Sequence, residues 1–276
     1  MQLLESYAEN IEQKGNIWVA KNSRAISFPD DGYANCMQIE ENSFWFKHRN
    51  NCITSLVKHF SANDTFFDIG GGNGYVSVGL EKAGIETVLV EPGEVGAMNA
   101  YKRGLKNVVC ATLEDAHFKA NSLPSVGVFD VVEHIEKDLD FVKMLHNYLI
   151  PNGKLYATVP SFNWLWSGED VSAGHYRRYT TANFNNLLEQ AGFKILYSTY
   201  IFSVLPLPIF LLRSLPSKFG LDKNRDLSTN TQEHNAGQEG IGAKIMNKIW
   251  AWELANVNKC KNIGFGGSCL VVAEKI

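Results

Sequence analysis

The sequence predicts an α/β protein built on a mostly parallel sheet, and three observations carry that expectation. Short apolar runs alternate with helix-like segments from residue 65 to residue 202, the order that requires crossover helices between parallel strands. The first apolar run leads directly into the glycine-rich turn Gly70-Gly71-Gly72-Asn73-Gly74 and then into a helical segment. Four polar residues, Asp68, Glu91, Thr112 and Asp130, fall at the carboxyl ends of successive strand segments. Open α/β sheets bind their ligands at that edge.

Taken in order, residues 1–35 are mixed in character. Glu40–Phe60 reads as an amphipathic helix with Phe44, Phe46, Ile53, Leu56 and Val57 apolar. Strand 1 is expected at Thr65–Ile69, followed by a helix over 75–83 that Gly84 stops. Strand 2, Thr87–Val90, ends at Glu91-Pro92, and a short helix covers Val95–Arg103. Strand 3 is Asn107–Ala111 and strand 4 is Ser125–Val131. A helix at 138–149 and the turn Pro151-Asn152-Gly153 lead to strand 5, Lys154–Val159. Residues 181–191 form a helix with a threonine N-cap and Gly192 just past its end, and strand 6 is Lys194–Phe202. Residues 221–240 are polar and expected to be mobile. A helix over 241–257, with Ile241, Ile245, Ile249 and Trp252 on one face, precedes a last strand at Gly267–Ala273. The organisation expected is an N-terminal helical cap region (1–60), a ligand-binding core (61–202), an apolar and helical insertion (203–262), and the final strand (263–276).

Composition narrows the function. The chain has 276 residues, is 45% hydrophobic and carries a formal net charge of −3. That supports one sizeable core and offers no global field for nucleic acid. No basic stripe with interleaved aromatics appears, so no nucleic-acid partner is expected. The first residues lack a basic segment leading into an apolar one, so no signal peptide is read. Five scattered cysteines without a C-x-x-C pair fit reduced thiols in the cytoplasm. Histidines and carboxylates show no ligand-like spacing, and no metal is expected.

The glycine turn singles out a nucleoside cofactor lying against exposed main chain. A side chain at Gly70 or Gly72 would hold such a ligand away, and the helix that follows presents unpaired N–H groups. The dinucleotide pattern G-x-G-x-x-G requires glycine at position 75, where the chain has Tyr75. The glycines instead follow Asp68-x-Gly70-x-Gly72-x-Gly74. Glu91 lies 23 positions after Asp68, where a carboxylate can accept both hydroxyls of a ribose. After strand 4 comes Phe129-Asp130-Val131-Val132-Glu133-His134, and after strand 5 come Leu165-Trp166-Ser167 and His175-Tyr176-Arg177-Arg178-Tyr179.

These segments together resemble the class I S-adenosylmethionine-dependent methyltransferases, and a small-molecule subgroup of them in particular. The resemblance covers about residues 40–202 and the final strand. It implies a Rossmann-like α/β sandwich whose seven-stranded sheet is mostly parallel with an antiparallel last strand, and it implies S-adenosylmethionine as cofactor. Carried over residue by residue, it assigns Asp68, Gly70, Gly72, Gly74, Glu91 and Asp130 to the cofactor. Thr112 stands where the family commonly has an acid that meets the adenine amino group; Thr112 and Leu113, or nearby Glu114 or Asp115, would serve there. The aromatic–Arg segment Phe44-Trp45-Phe46-Lys47-His48-Arg49 implies a helix closing over the cofactor, with Arg49 on its carboxylate. His134 and His175 are base candidates for a hydroxyl or amine acceptor. Trp166, Tyr176, Arg177 and Arg178 are expected to meet the acceptor, the arginines as a clamp for an anionic group or, for one of them, as a structural ion pair.

Two other readings stay open at this point: an NAD(P)-dependent oxidoreductase, and a non-catalytic nucleoside-binding scaffold. The apolar, proline-broken stretch Ile201–Arg213 is too short to span a bilayer. It is read as a buried insertion packed on the 241–257 helix, a cap on the substrate pocket, a binding element for a lipid-like substrate, or, over 201–219, a peripheral membrane contact.

Overall fold

A computed structural model describes residues 2–21, 37, 40, 43–61, 63–220 and 241–276. Cys36, Glu41, Asn42 and the polar segment 221–240 lie outside the described residues. Among the described residues, one nine-stranded sheet organises the fold. Its strands are β1 (Ile11–Lys14), β2 (Ile17–Ala20), β3 (Phe66–Ile69), β4 (Thr87–Val90), β5 (Val108–Cys110), β6 (Leu123–Phe129), β7 (Leu149–Pro160), β8 (Phe193–Ile201) and β9 (Ser268–Lys275). Their spatial order is β1-β2-β5-β4-β3-β6-β7-β9-β8. From β5 to β7 all neighbours run parallel, and β9 enters antiparallel between β7 and β8. The strand order reverses at β3, whose neighbours are β4 on one side and β6 on the other. That reversal opens a crevice at the carboxyl ends of the strands. Every residue of β3 and β4 is buried, as strands covered by helices on both faces must be.

Strands β3–β9 and the helices between them follow the expected order, with ends displaced by a residue or two except at β7, which begins at Leu149 and not at Lys154. The N-terminal region departs from the expected helical cap. After the helix Gln2–Tyr7 it forms the β1–β2 hairpin, which extends the sheet by pairing Trp18 with Val109 and Val19 with Cys110. A two-residue loop joins the strands, with Gly15 at φ 65° taking the left-handed position that such loops need. Each strand is only four residues long, too short for alternation to stand out in a mixed sequence. A smaller departure lies at Pro151-Asn152-Gly153. That expected turn is absorbed into β7 as an irregularity where the register against β6 shifts.

Helix Phe44–Ser61 crosses one face of the sheet. Ser43 Oγ accepts from Trp45 N at its start, and the buried positions 48, 49, 52, 53, 56 and 57 recur at helical spacing. Its end is pinned beneath the sheet by a closed hydroxyl cluster. Ser125 Oγ (2.7 Å) and Tyr156 OH (2.8 Å) both donate to Ser61 Oγ, so these buried groups keep partners.

Helix Ile241–Val257 packs beside it, but not on the face the sequence marks. Ile245 and Trp252 are exposed, whereas Trp250, Glu253 and Val257 are buried. A charged residue explains the rotation. Fully buried Glu253 accepts from His48 Nε2 (2.8 Å), Phe202 N (2.9 Å), Ser203 N (2.6 Å) and Ser203 Oγ (2.5 Å). Burial alone would raise this carboxyl, but the donors outweigh it and hold it below its usual range. Above the network, Trp45 stacks on Phe202 and Phe44 on Trp250. The expected aromatic pair is therefore a packed seam between the two helices.

From Ser203, which Glu253 holds, the chain runs on as a helical stretch, Pro206–Ile209, a π-helical turn Phe210–Ser214, and Leu215–Lys218. Arg213 pairs with Glu169, and Ser214 Oγ donates to Leu165 O (2.7 Å), which holds this stretch over the carboxyl edge of the sheet. No helix among the described residues is long and apolar enough to cross a membrane.

Candidate active site

The crevice at the β3 end is lined as the glycine turn requires. Gly70, Gly72 and Gly74 all have positive φ, and a Cβ at Gly72 would meet nothing within 4 Å. Gly72 therefore borders open space that a ligand can occupy. Gly71 is constrained from the other side: a Cβ there would lie 2.3 Å from Leu89 Cδ1 and 2.6 Å from Asp68 Oδ2. Glu91, buried at the end of β4, accepts from Gly72 N (2.8 Å) and Gly93 N (2.7 Å). Those two amides fix the direction of its carboxylate across the crevice.

Asp68 is buried at the end of β3 and accepts from Ser77 Oγ at 2.6 Å through Oδ2, while its Oδ1 has no partner. Burial pushes its carboxyl up to about 6, with the Ser77 hydrogen bond opposing. Native Asp68 therefore keeps a proton that an unfolded chain, with a carboxyl near ~4, has released. Stability falls as pH rises through that window and levels off above about 6. Asp68→Asn removes the buried charge and retains an acceptor for Ser77. The variant is expected to be more stable than wild type at pH 8 by up to about 3 kcal/mol, with the gap closing towards pH 4. Denaturant titrations at the two pH values check it, and a gap that does not change with pH would overturn it.

Asp130 follows β6 at φ 57°, a conformation uncommon outside glycine, and ion-pairs with Arg49 Nη1. The Arg49 guanidinium lies over the Trp45 ring at 4.5 Å and near Phe46 at 5.3 Å, and its Nε has no hydrogen-bond partner. Among the described residues of the crevice, Asp68 Oδ1 is a buried acceptor and Arg49 Nε a buried donor, each without a hydrogen-bond partner.

Thr112 takes a local role: its Oγ1 accepts from Asp115 N at 3.0 Å, closing the turn after β5. Leu113 is buried in the core, so only its main chain is left to face a ligand.

Two segments distant in sequence meet beyond β6 and β7. Glu133 and His134 lie in a short 3-10 turn, and the helix Gly168–Ala173 with the loop after it brings Asp170 and His175 against them. The His134 and His175 rings meet edge to face at 4.6 Å. Tyr176 N donates to Glu133 O (2.8 Å), tying the loop to the turn. His175 Nδ1 lies 2.8 Å from Asp170 Oδ1. Burial, with the neighbouring His175, holds His134 below its usual pKa. Burial, reinforced by Asp130, raises the Glu133 carboxyl well above its own. Sequence spacing offered no ligand set, yet the fold gathers Glu133, His134 and His175 with one ligand atom each, all within 4.8 Å of one another.

The paired arginines separate. Arg178 donates to both carboxylate oxygens of Asp170, from Nε at 2.7 Å and Nη2 at 3.0 Å, and its Nη1 reaches Ser161 O. Arg177 binds Asp138 (2.6 Å) and Glu136 O (2.6 Å). Both guanidinium groups therefore hold the loop in place. Tyr176 faces solvent beneath Arg177, and Trp166 is half-buried just before Ser167.

Beside this cluster a cavity of 520 Å³ opens between Phe44, Trp45, Phe46, Pro160 and the roof residues Leu205, Pro208, Ile209 and Leu212, with Arg178 and Arg213 on its wall. A second groove of 620 Å³ lies along the helix pair, between Thr54, Lys58, Leu254 and Asn258, and none of the glycine-crevice or histidine-cluster residues lines it. Asp170 and Glu253 escaped sequence reasoning as functional residues. Asp170 had a signal, the capping box that Ser167 and Asp170 form.

Comparisons with known proteins bear on the family and the fold. The model of the methyltransferase domain family matches residues 45–198. No curated protein sequence matches the chain. Among solved structures it resembles a methyltransferase of Haloferax volcanii bound to the Trm112 activator, at 15% identity and a TM-score of 0.54 over 89% of this chain and 94% of that one. A SAM-dependent methyltransferase of Thermotoga maritima is similar at 15% identity and a TM-score of 0.54 over 89% and 95% of the two chains. The chain also resembles phosphoethanolamine N-methyltransferase 2 of Haemonchus contortus, solved with phosphomonomethylethanolamine and S-adenosylhomocysteine. That match has 18% identity and a TM-score of 0.54, over 90% of this chain and 58% of that one. With its strand order, its glycine crevice and a family match over more than half its length, the chain belongs to the methyltransferase domain family.

Proposed function

We propose that the protein transfers a methyl group from S-adenosylmethionine to a small, largely apolar acceptor. One observation carries the cofactor: the crevice presents a matched pair of unsatisfied buried groups, Asp68 Oδ1 and Arg49 Nε, beside the open cradle at Gly72 and the oriented carboxylate of Glu91. A zwitterionic amino-acid end suits the first pair, and a ribose diol suits Glu91. S-adenosylmethionine supplies a methyl carbon already activated by the adjoining sulfonium. The chain itself binds, aligns and excludes water. Arg49, braced by Asp130 and by the Trp45 and Phe46 rings, fixes the amino-acid end. The aromatic helix start and the 206–218 roof enclose the acceptor. The acceptor's nucleophilic hydroxyl is placed beside His134 and His175.

Calorimetric titration with S-adenosylmethionine, S-adenosylhomocysteine and NADH tests the reading. The first two are expected to bind and the third is not; binding of NADH alone would overturn it. Glu91→Ala is expected to weaken S-adenosylmethionine binding by about 100-fold, since two charge-assisted hydrogen bonds are lost at ~1.5 kcal/mol each. Unchanged affinity would remove the ribose assignment.

The acceptor's apolar character rests on the cavity wall, and a second feature extends it to a lipid surface. Leu207, Leu211 and Phe219 point outward from the roof, between 50% and 71% exposed, with exposed Lys218 among them. Sedimentation with anionic phospholipid vesicles is expected for the wild type and lost in Leu207→Asp/Leu211→Asp. Absence of wild-type binding would end the membrane reading.

A further inference from the structure

We propose that Glu133, His134 and His175 bind a divalent transition-metal ion, which holds and acidifies the acceptor hydroxyl. The inference rests on the methyl-transfer reading for its role, and on the geometry alone for the site. Three ligand atoms from two separate segments lie within 4.8 Å of one another, a spread that small rotations of the half-buried imidazoles close to ligand distances of about 2.0–2.2 Å.

Two further observations point to a cation. Glu133 is 1% exposed, and its Oε2 has no hydrogen-bond partner. A buried carboxylate oxygen without a donor is costly, and such orphans call for a missing ion or ligand. His175 is also built as metal-bound histidines are built. Its Nδ1 is engaged by Asp170 at 2.8 Å, which fixes the tautomer and leaves the Nε2 lone pair free. Asp170 is in turn clamped by Arg178 and by Ser167 N (2.9 Å), so the orientation is rigid.

The donor set selects the ion. Two imidazoles and one carboxylate suit zinc, iron, cobalt or manganese, whereas magnesium and calcium prefer oxygen throughout. The surrounding charges accommodate it: Asp130, Glu133 and Asp170 face the cluster, against Arg49 on Asp130 and Arg178 on Asp170. Three protein ligands leave a position open to an exogenous oxygen, and a bound dication makes a hydroxyl there far more acidic. The proton leaves to solvent. The oxygen–carbon bond then forms as the sulfur–carbon bond of the methyl donor breaks, and the donor departs as a neutral thioether.

The test uses the full chain, stripped with a chelator and titrated with Zn²⁺ by calorimetry and with Co²⁺ by visible absorption. S-adenosylmethionine is titrated into the same samples. Wild type is expected to bind one equivalent of Zn²⁺. Glu133→Gln, which keeps the side chain's size, and His175→Ala should each lose about 10–100-fold in metal affinity while retaining S-adenosylmethionine binding. His59→Ala, at an exposed histidine, should match wild type. Failure of wild type to bind Zn²⁺ or Co²⁺, equal affinity in the Glu133 and His175 variants, or a preference for Mg²⁺ would each overturn the site. Metal binding without S-adenosylmethionine binding would instead uphold the site and defeat the methyl-transfer reading.

Discussion

Glu253→Ala is expected to destabilise the protein by about 3–5 kcal/mol, among the largest losses any single replacement here should produce. The carboxylate is fully buried and serves four donors: His48 Nε2, Phe202 N, Ser203 N and Ser203 Oγ. Alanine satisfies none of them and leaves a void between the two helices. The loss has a second component. Phe202 sits at φ 63°, a left-handed conformation that costs a non-glycine residue on the order of 1–3 kcal/mol unless its surroundings hold it there. The hydrogen bond that its backbone N–H donates to Glu253, and its stacking on Trp45, help hold it there. Glu253→Gln retains one acceptor oxygen but sets an NH₂ group against the remaining donors, so it should fall between wild type and alanine. Equilibrium denaturation measures both. A loss below about 1 kcal/mol for alanine would mean that the network relaxes onto water or alternative partners.

The parts of the molecule that were legible in the sequence share a physical cause. Asp68, the glycine turn and Glu91 are read from local rules, because strand ends, positive φ and helix starts are set by residues a few positions apart. The order of the central strands follows for the same reason, since short crossovers leave few ways to arrange them. What escaped depends on contacts between distant segments. The rotation of helix Ile241–Val257 is dictated by Glu253 meeting residues 50 and 205 positions away, and apolar periodicity cannot report a buried charge. The two arginines looked like an anion clamp, while their partners Asp138 and Asp170 became visible only when the loop folded back. Glu133 and His134 adjoin in the chain, but His175 lies far along it and meets them where the loop folds back, with the Tyr176 amide donating to the Glu133 carbonyl.

Asp170→Asn is expected to separate the roles of that loop. The carboxylate receives the Arg178 guanidinium on both oxygens, His175 Nδ1 on Oδ1, and Ser167 N on Oδ2. Burial alone would raise it, but the donors from His175 and Arg178 prevail and bring it down to about 2, so it is fully charged at neutral pH. Asparagine keeps the volume, removes the charge, and can turn only one oxygen towards these donors. Arg178, only 11% exposed, is left with a guanidinium that has lost its counter-ion. Breaking a buried pair from one side costs about 3–5 kcal/mol, of which the remaining neutral hydrogen bonds return part, so a net loss near 3 kcal/mol is expected. The cofactor crevice shares no side chain with this loop, and S-adenosylmethionine affinity should stay within about twofold of wild type. Turnover should fall by about 10–100-fold, because His175 loses the acceptor that fixes its tautomer and direction. The separation matters because a merely unfolded population would lower cofactor-binding stoichiometry and turnover together. Retained stoichiometry with depressed kcat therefore assigns Asp170 as a positioning residue for the histidine pair. Equal losses in both would reduce it to a structural anchor of the loop.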